Sequence, residues 1–94
     1  MASYKKGDQE RLDFGIDWSE FLTSEGVTIA GSTWTVPSGI TEVSNSSSTT
    51  ATSIVLEGGT IGSSYKLVNT ITTSDSNIIA ERSIFVLVVE DKFR

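Results

Sequence analysis

The chain has 94 residues, 37% hydrophobic and 20% charged, with a net charge of −5. That length holds one domain, the composition is that of a globular chain, and seven Lys and Arg are too few for a nucleic-acid-binding footprint. Cys and His are both absent, which excludes disulfide staples, thiol chemistry, Cys/His zinc sites and every catalytic triad built on an imidazole.

No apolar run approaches the roughly 18–20 residues of a membrane helix, and the N-terminus lacks the apolar stretch of a secretory signal. Ser and Thr make up 27 residues and Val and Ile 17, against five Leu and four Ala. β-Branched side chains lose rotamer freedom in helices and pack well on pleated surfaces. An all-β domain is therefore expected.

Residues 1–11 carry five charged side chains and no apolar periodicity. They read as a polar N-terminal arm, with residues 12–94 forming a single domain. Lys5, Lys6 and Arg11 make the one basic cluster, suited to contact with an acidic partner surface. From Leu12 to Trp18, Leu12, Phe14, Ile16 and Trp18 alternate with Asp13, Gly15 and Asp17, the period of a half-buried strand. Ser19-Glu20-Phe21-Leu22 is compatible with one helical turn or with continuation of that strand.

A strand region follows from Val27 to Val36, its phase broken at Ala30-Gly31-Ser32 by a bulge or a tight turn. Pro37-Ser38-Gly39 is a turn. A short strand, Ile40 to Val43, runs into a polar stretch, Ser44 to Thr50, that reads as a mobile loop facing solvent. Strands are expected at Ala51 to Glu57, at Tyr65 to Thr73 and from Ile78 to Glu90. In the Tyr65 strand both faces are partly apolar. The run Ile84 to Val89 is apolar throughout, so its strand should be central or covered.

About seven short strands spaced by turns predict an antiparallel β-sandwich. Gly58-Gly59-Thr60-Ile61-Gly62-Ser63-Ser64-Tyr65 refines that reading. Gly59 and Gly62 allow a sharp corner, and Tyr65 stands where a tyrosine corner would turn its hydroxyl back to the upstream backbone.

Enzymatic chemistry finds no footing. Asp13-Phe14-Gly15 spells a kinase tripeptide without the rest of a kinase. Asp13 and Asp17 lie about 13 Å apart along an extended strand, too far for a glycosidase pair. Asp75 and Asn77 sit in a loop too short for a calcium-binding EF-hand. No catalytic residue, metal or cofactor is assigned. Trp18, Phe21 and Trp34 are the large aromatics, expected in the core or else as anchors at a protein interface or a sugar-stacking platform.

Five segments of this chain resemble small structural proteins encoded by tailed bacteriophages and prophages. They are Leu12 to Leu22, Ser32-Thr33-Trp34-Thr35-Val36-Pro37-Ser38-Gly39-Ile40-Thr41, and the Gly58-to-Tyr65 corner with Asn69 to Thr73 and Arg82-Ser83. The resemblance spans about residues 12–90. It implies an immunoglobulin-like virion accessory protein, made in the bacterial cytoplasm and carried on the phage particle. It brings no catalytic residues.

A capsid decoration or cement protein on the head exterior is the expected role, reinforcing the assembled lattice through many weak contacts. The expected partners are the major capsid protein or other virion proteins, with self-association between copies and neither nucleic acid nor membrane. Tyr4, Lys5, Lys6, Arg11, Trp18 and Phe21 are the candidate contacts. A neck or tail accessory protein, or a module binding host-surface glycans, is the alternative.

Overall fold

The computed structural model describes residues 2–90. Seven strands and one short helix follow in the order β1 (Ala2–Gly7), β2 (Leu12–Asp17), α1 (Ser19–Glu25), β3 (Ile29–Thr35), β4 (Ile40–Ser47), β5 (Ala51–Gly58), β6 (Ser64–Thr73) and β7 (Ile79–Val89). Two sheets pack face to face, one ordered β1-β7-β6-β3 and the other β2-β5-β4. All pairings are antiparallel but one: β1 runs parallel to β7, from Ala2 opposite Ile84 to Gly7 opposite Val89. The expected all-β sandwich is therefore present, with this parallel pair as a departure from a purely antiparallel one.

The alternating patterns produce the core. Ile54 and Leu56 of β5, Leu67 and Ile71 of β6, and Val86 and Val88 of β7 are fully buried between the sheets. Each such side chain contributes roughly 1.5–3 kcal/mol over its exposed state. Phe14, Ile16 and Leu22 close the core on the β2 side.

The N-terminal arm is corrected by β1. Residues 2–7 form an edge strand, with Tyr4 half-buried and Lys6 fully buried. The segment escapes sequence patterning because its inward positions are a tyrosine and a lysine rather than a run of aliphatics. Ser19-Glu20-Phe21-Leu22 resolves as helix α1. The helix ends on Gly26 in the left-handed conformation, where Gly26 N–H meets Thr23 O at 3.3 Å and Val27 N–H meets Leu22 O at 3.1 Å. These two bonds close the last turn.

The Gly31 region holds a bulge, a shift of register against β6 between Ile29 and Gly31. The solvent-facing loop at Ser44–Thr50 is corrected in its first half. β4 continues to Ser47, paired with β5 through a register shift between Glu42 and Ser44. Ser46 and Ser53 share a 2.7 Å hydroxyl hydrogen bond across that ladder. Ser48 then makes the turn, its hydroxyl accepting from Ala51 N–H at 3.1 Å.

Candidate interaction surfaces

Inside the sandwich, Asn69 links the two sheets. It occupies an inward position on β6, between Leu67 and Ile71, and is fully buried. Its Oδ1 accepts from Trp18 Nε1 at 3.1 Å and from Thr52 Oγ1 at 2.6 Å. Its Nδ2 donates to Ser32 Oγ at 2.9 Å and Thr33 O at 3.0 Å. A buried amide thus satisfied on both ends fixes the register of one sheet over the other.

Trp18 is 1% exposed and belongs to this interior. The Arg82 guanidinium lies 4.4 Å from its ring centroid, a cation–π contact. Arg82 also donates to Asp17 O at 3.3 Å, and Phe21 meets Trp18 edge-on at 5.8 Å. Trp18 is therefore corrected as a surface anchor, because its N–H is satisfied inside and Arg82 covers its ring. Trp34 is half-buried against the core, and its Nε1 is enclosed without a hydrogen-bond partner among the described residues.

Between the β2 edge and the first half of β7 runs a groove of about 600 Å³, lined by Tyr4, Gly15, Ile16, Asp17 and residues 81–84. Tyr4 packs there on Phe14, ring centroids 5.3 Å apart. The Ser19 hydroxyl and N–H hold the Asp17 carboxyl below the ordinary carboxylate range, with the N–H at 2.9 Å from Asp17 Oδ1.

The open end of the sandwich carries Lys6. Its Nζ donates to Gly7 O and Gly58 O, each at 2.7 Å. Burial pushes this amine below its usual pKa, opposed by the nearby Glu10, Asp8 and Glu57 carboxylates. Lys6 is therefore corrected as a partner contact: its ammonium is spent on two carbonyls of its own chain. Arg11 is exposed and pairs with Glu57 at 2.6 Å, the kind of surface pair worth under about 1 kcal/mol. Lys5 is exposed on β1.

At the glycine-rich corner, Tyr65 OH accepts from Thr60 N–H at 3.0 Å, and that hydrogen bond draws the phenol below its usual pKa. Gly59 has φ +97°, and a Cβ there would lie 2.6 Å from Val88 Cγ2. Gly62, at φ +90°, donates its N–H to Val88 O at 2.8 Å.

The outer faces of the two sheets differ. On the four-stranded sheet, directly paired residues share a face. The register therefore sets Ser3 and Lys5 of β1, Phe85 and Leu87 of β7, and Ser64 and Lys66 of β6 side by side on the outside. Val68 and Val89 continue the strip, and Ile79 at the start of β7 is 64% exposed. Phe85, Leu87, Val89 and Val68 are half-buried by their sheet neighbours alone, with no described element laid over them. On the three-stranded sheet the outward set is Asp13, Gly15, Asp17, Ser53, Val55, Glu57, Thr41, Ser44 and Ser46.

Sequence comparison adds the family. No curated protein matches the chain. The family described as the podophage GP4 fiber-tail adaptor protein gp77 matches residues 6–87, from the buried lysine of β1 to near the end of β7. This carries the phage virion accessory expectation in its coarser form, and the chain belongs to the podophage fiber-tail adaptor family.

Proposed function

We propose that this protein is a non-enzymatic adaptor of the phage tail, which holds a fibre on the tail by binding one virion protein on each of two surfaces. The observation that carries this reading is the family match across 82 of 94 residues, from 6 to 87. The tail accessory role takes precedence over capsid decoration on the same ground, with tail and fibre proteins as partners in place of the major capsid protein. Physical features support it. The interior is tied by a satisfied polar network and the outer faces present unlike chemistries, which suits a rigid spacer between two different partners. Arg82, the cation among the groove's lining residues, is already engaged by the Trp18 ring and Asp17 O. A sugar platform at Trp18 loses its basis, because that ring is covered.

Quantitative mass spectrometry of purified virions tests the reading, together with a phage lacking the gene. A copy number that scales with the fibres, and gene-deleted particles with filled heads but no fibres, are the expected results. A copy number scaling with the major capsid protein, or fibres retained on deleted particles, would overturn it.

A further inference from the structure

We infer that the outer face of the four-stranded sheet, centred on Phe85 and Leu87, is a docking face for a virion protein that presents an apolar patch rimmed by carboxylates. This deepens the adaptor reading and rests on it.

A sheet that packs on one side and faces water on the other alternates apolar inward with polar outward. β2 obeys that rule, with Asp13, Gly15 and Asp17 outward. β7 does not. Its inward residues Ile84, Val86 and Val88 are buried in the core, and its outward residues Phe85, Leu87 and Val89 form an apolar end of a face that begins with Ile79, Glu81 and Ser83. β7 is central in its sheet, as its composition predicts, yet only one of its two apolar faces has a layer over it. Val68, paired with Ser83, extends the uncovered strip onto β6. A contiguous apolar patch rimmed by polar groups marks an interaction site.

Charge identifies the occupant. The chain is acidic, with net charge −5. The two exposed lysines among the described residues both stand on this face, Lys5 beside Leu87 and Lys66 beside Phe85. They bracket the apolar centre from opposite sides. Lys6, next in sequence to Lys5, is turned inward and held by carbonyls, so it adds nothing to the rim. A second copy of this chain is a poor occupant. A two-fold centred on Phe85 and Leu87 would set the lysines of one copy over those of the other, and like charges across an interface are penalised. A partner with carboxylates around an apolar centre satisfies both halves of the patch.

The test uses the full-length protein with two probes, virions assembled without it and purified fibre protein. Phe85→Glu attacks the centre and the double variant Lys5→Glu/Lys66→Glu attacks the rim. Asp13→Lys on the other sheet is the control. Far-UV circular dichroism reports folding. The lysine variant alters exposed side chains only, so it keeps the test open if Phe85→Glu fails to fold. The expected result is a loss of about ten-fold or more in affinity for one probe, with Asp13→Lys binding that probe as wild type does. The lysine variant should also lose the salt dependence of association.

Unchanged binding of both probes by the sheet-face variants would overturn the docking face while leaving the adaptor reading intact. Wild-type protein that binds neither probe would overturn both. A wild-type dimer in sedimentation velocity, abolished by Phe85→Glu with both bindings preserved, would overturn the partner assignment and give the face to a second copy.

Discussion

The two sheets of this sandwich share one core and turn different chemistries outward. The three-stranded sheet shows carboxylates, serines and Thr41 around the half-buried Val55, with Val43 exposed at the β4 register shift. The four-stranded sheet shows Phe85, Leu87, Val89 and Val68 between two lysines. Solvent alone explains the first surface. The second calls for a partner, because outward aromatic and aliphatic positions on a central strand cost solubility and gain nothing for an isolated domain. The contrast is between a face finished by folding and a face left for assembly.

One deletion and three substitutions break or sharpen this contrast by acting on what holds the faces in place. Deleting residues 1–7 should have the largest effect. It strips the edge strand that supports the basic side of the docking face, removes Tyr4 from Phe14, and takes away the Lys6 latch on Gly58 O. The loss should be on the order of 5 kcal/mol, comparable to the whole stability of a domain this small. The cooperative thermal transition followed by circular dichroism should vanish. An unchanged melting temperature would return the segment to the status of an arm.

Asn69→Ala comes next. It leaves Trp18 N–H and the Thr52 hydroxyl without their shared acceptor in the interior, and should cost about 2–4 kcal/mol in urea unfolding. A cost below about 0.5 kcal/mol would show that the two faces do not depend on this tie for their alignment.

Lys6→Met has the smallest effect at neutral pH and a distinct effect in alkali. Burial lowers the folded-state pKa of Lys6. Between that lowered value and the ordinary one near about 10.4, the unfolded chain binds more protons than the folded one, so wild-type stability rises with pH in that window. Below the folded pKa the penalty for a buried ammonium is fully present. Replacing Lys6 removes this contribution, so the alkaline rise should flatten. The lowered phenol pKa of Tyr65 acts with the same sign, and Tyr65→Phe should remove that remaining part. Denaturant melts from about pH 8 to about pH 10 check both. A slope unaltered by Lys6→Met would mean that the amine is not desolvated as its buried position implies.

Much of this arrangement is legible in the sequence, for physical reasons that differ by element. Period-two alternation marks β2, β5, β6 and β7, since each lays aliphatic residues on one core. The corner before Tyr65 is legible because positive φ at Gly59 and Gly62, and at Gly59 close approach to Val88, favour glycine at those two sites. β1 is not legible, because an edge strand pairing through its backbone needs few apolar side chains. The Ser44–Ser47 half of β4 hides for the same reason: serines in an edge ladder look like a loop.

The interior tie leaves one faint signal. Asn69 stands in phase with Tyr65, Leu67 and Ile71, and a polar residue at an inward position demands partners. The docking face was half visible. The run from Ile84 to Val89 requires a partner on both sides, and a chain read alone does not say which side is already supplied.

The most direct measurement is a cryo-electron microscopy reconstruction of the intact tail with this protein in place. The account predicts Phe85 and Leu87 covered by another virion protein, with carboxylates of that protein against Lys5 and Lys66, while the Asp13 and Ser53 face stays more open. A tail in which Phe85 and Leu87 face solvent, and the three-stranded sheet carries the contact, would contradict it.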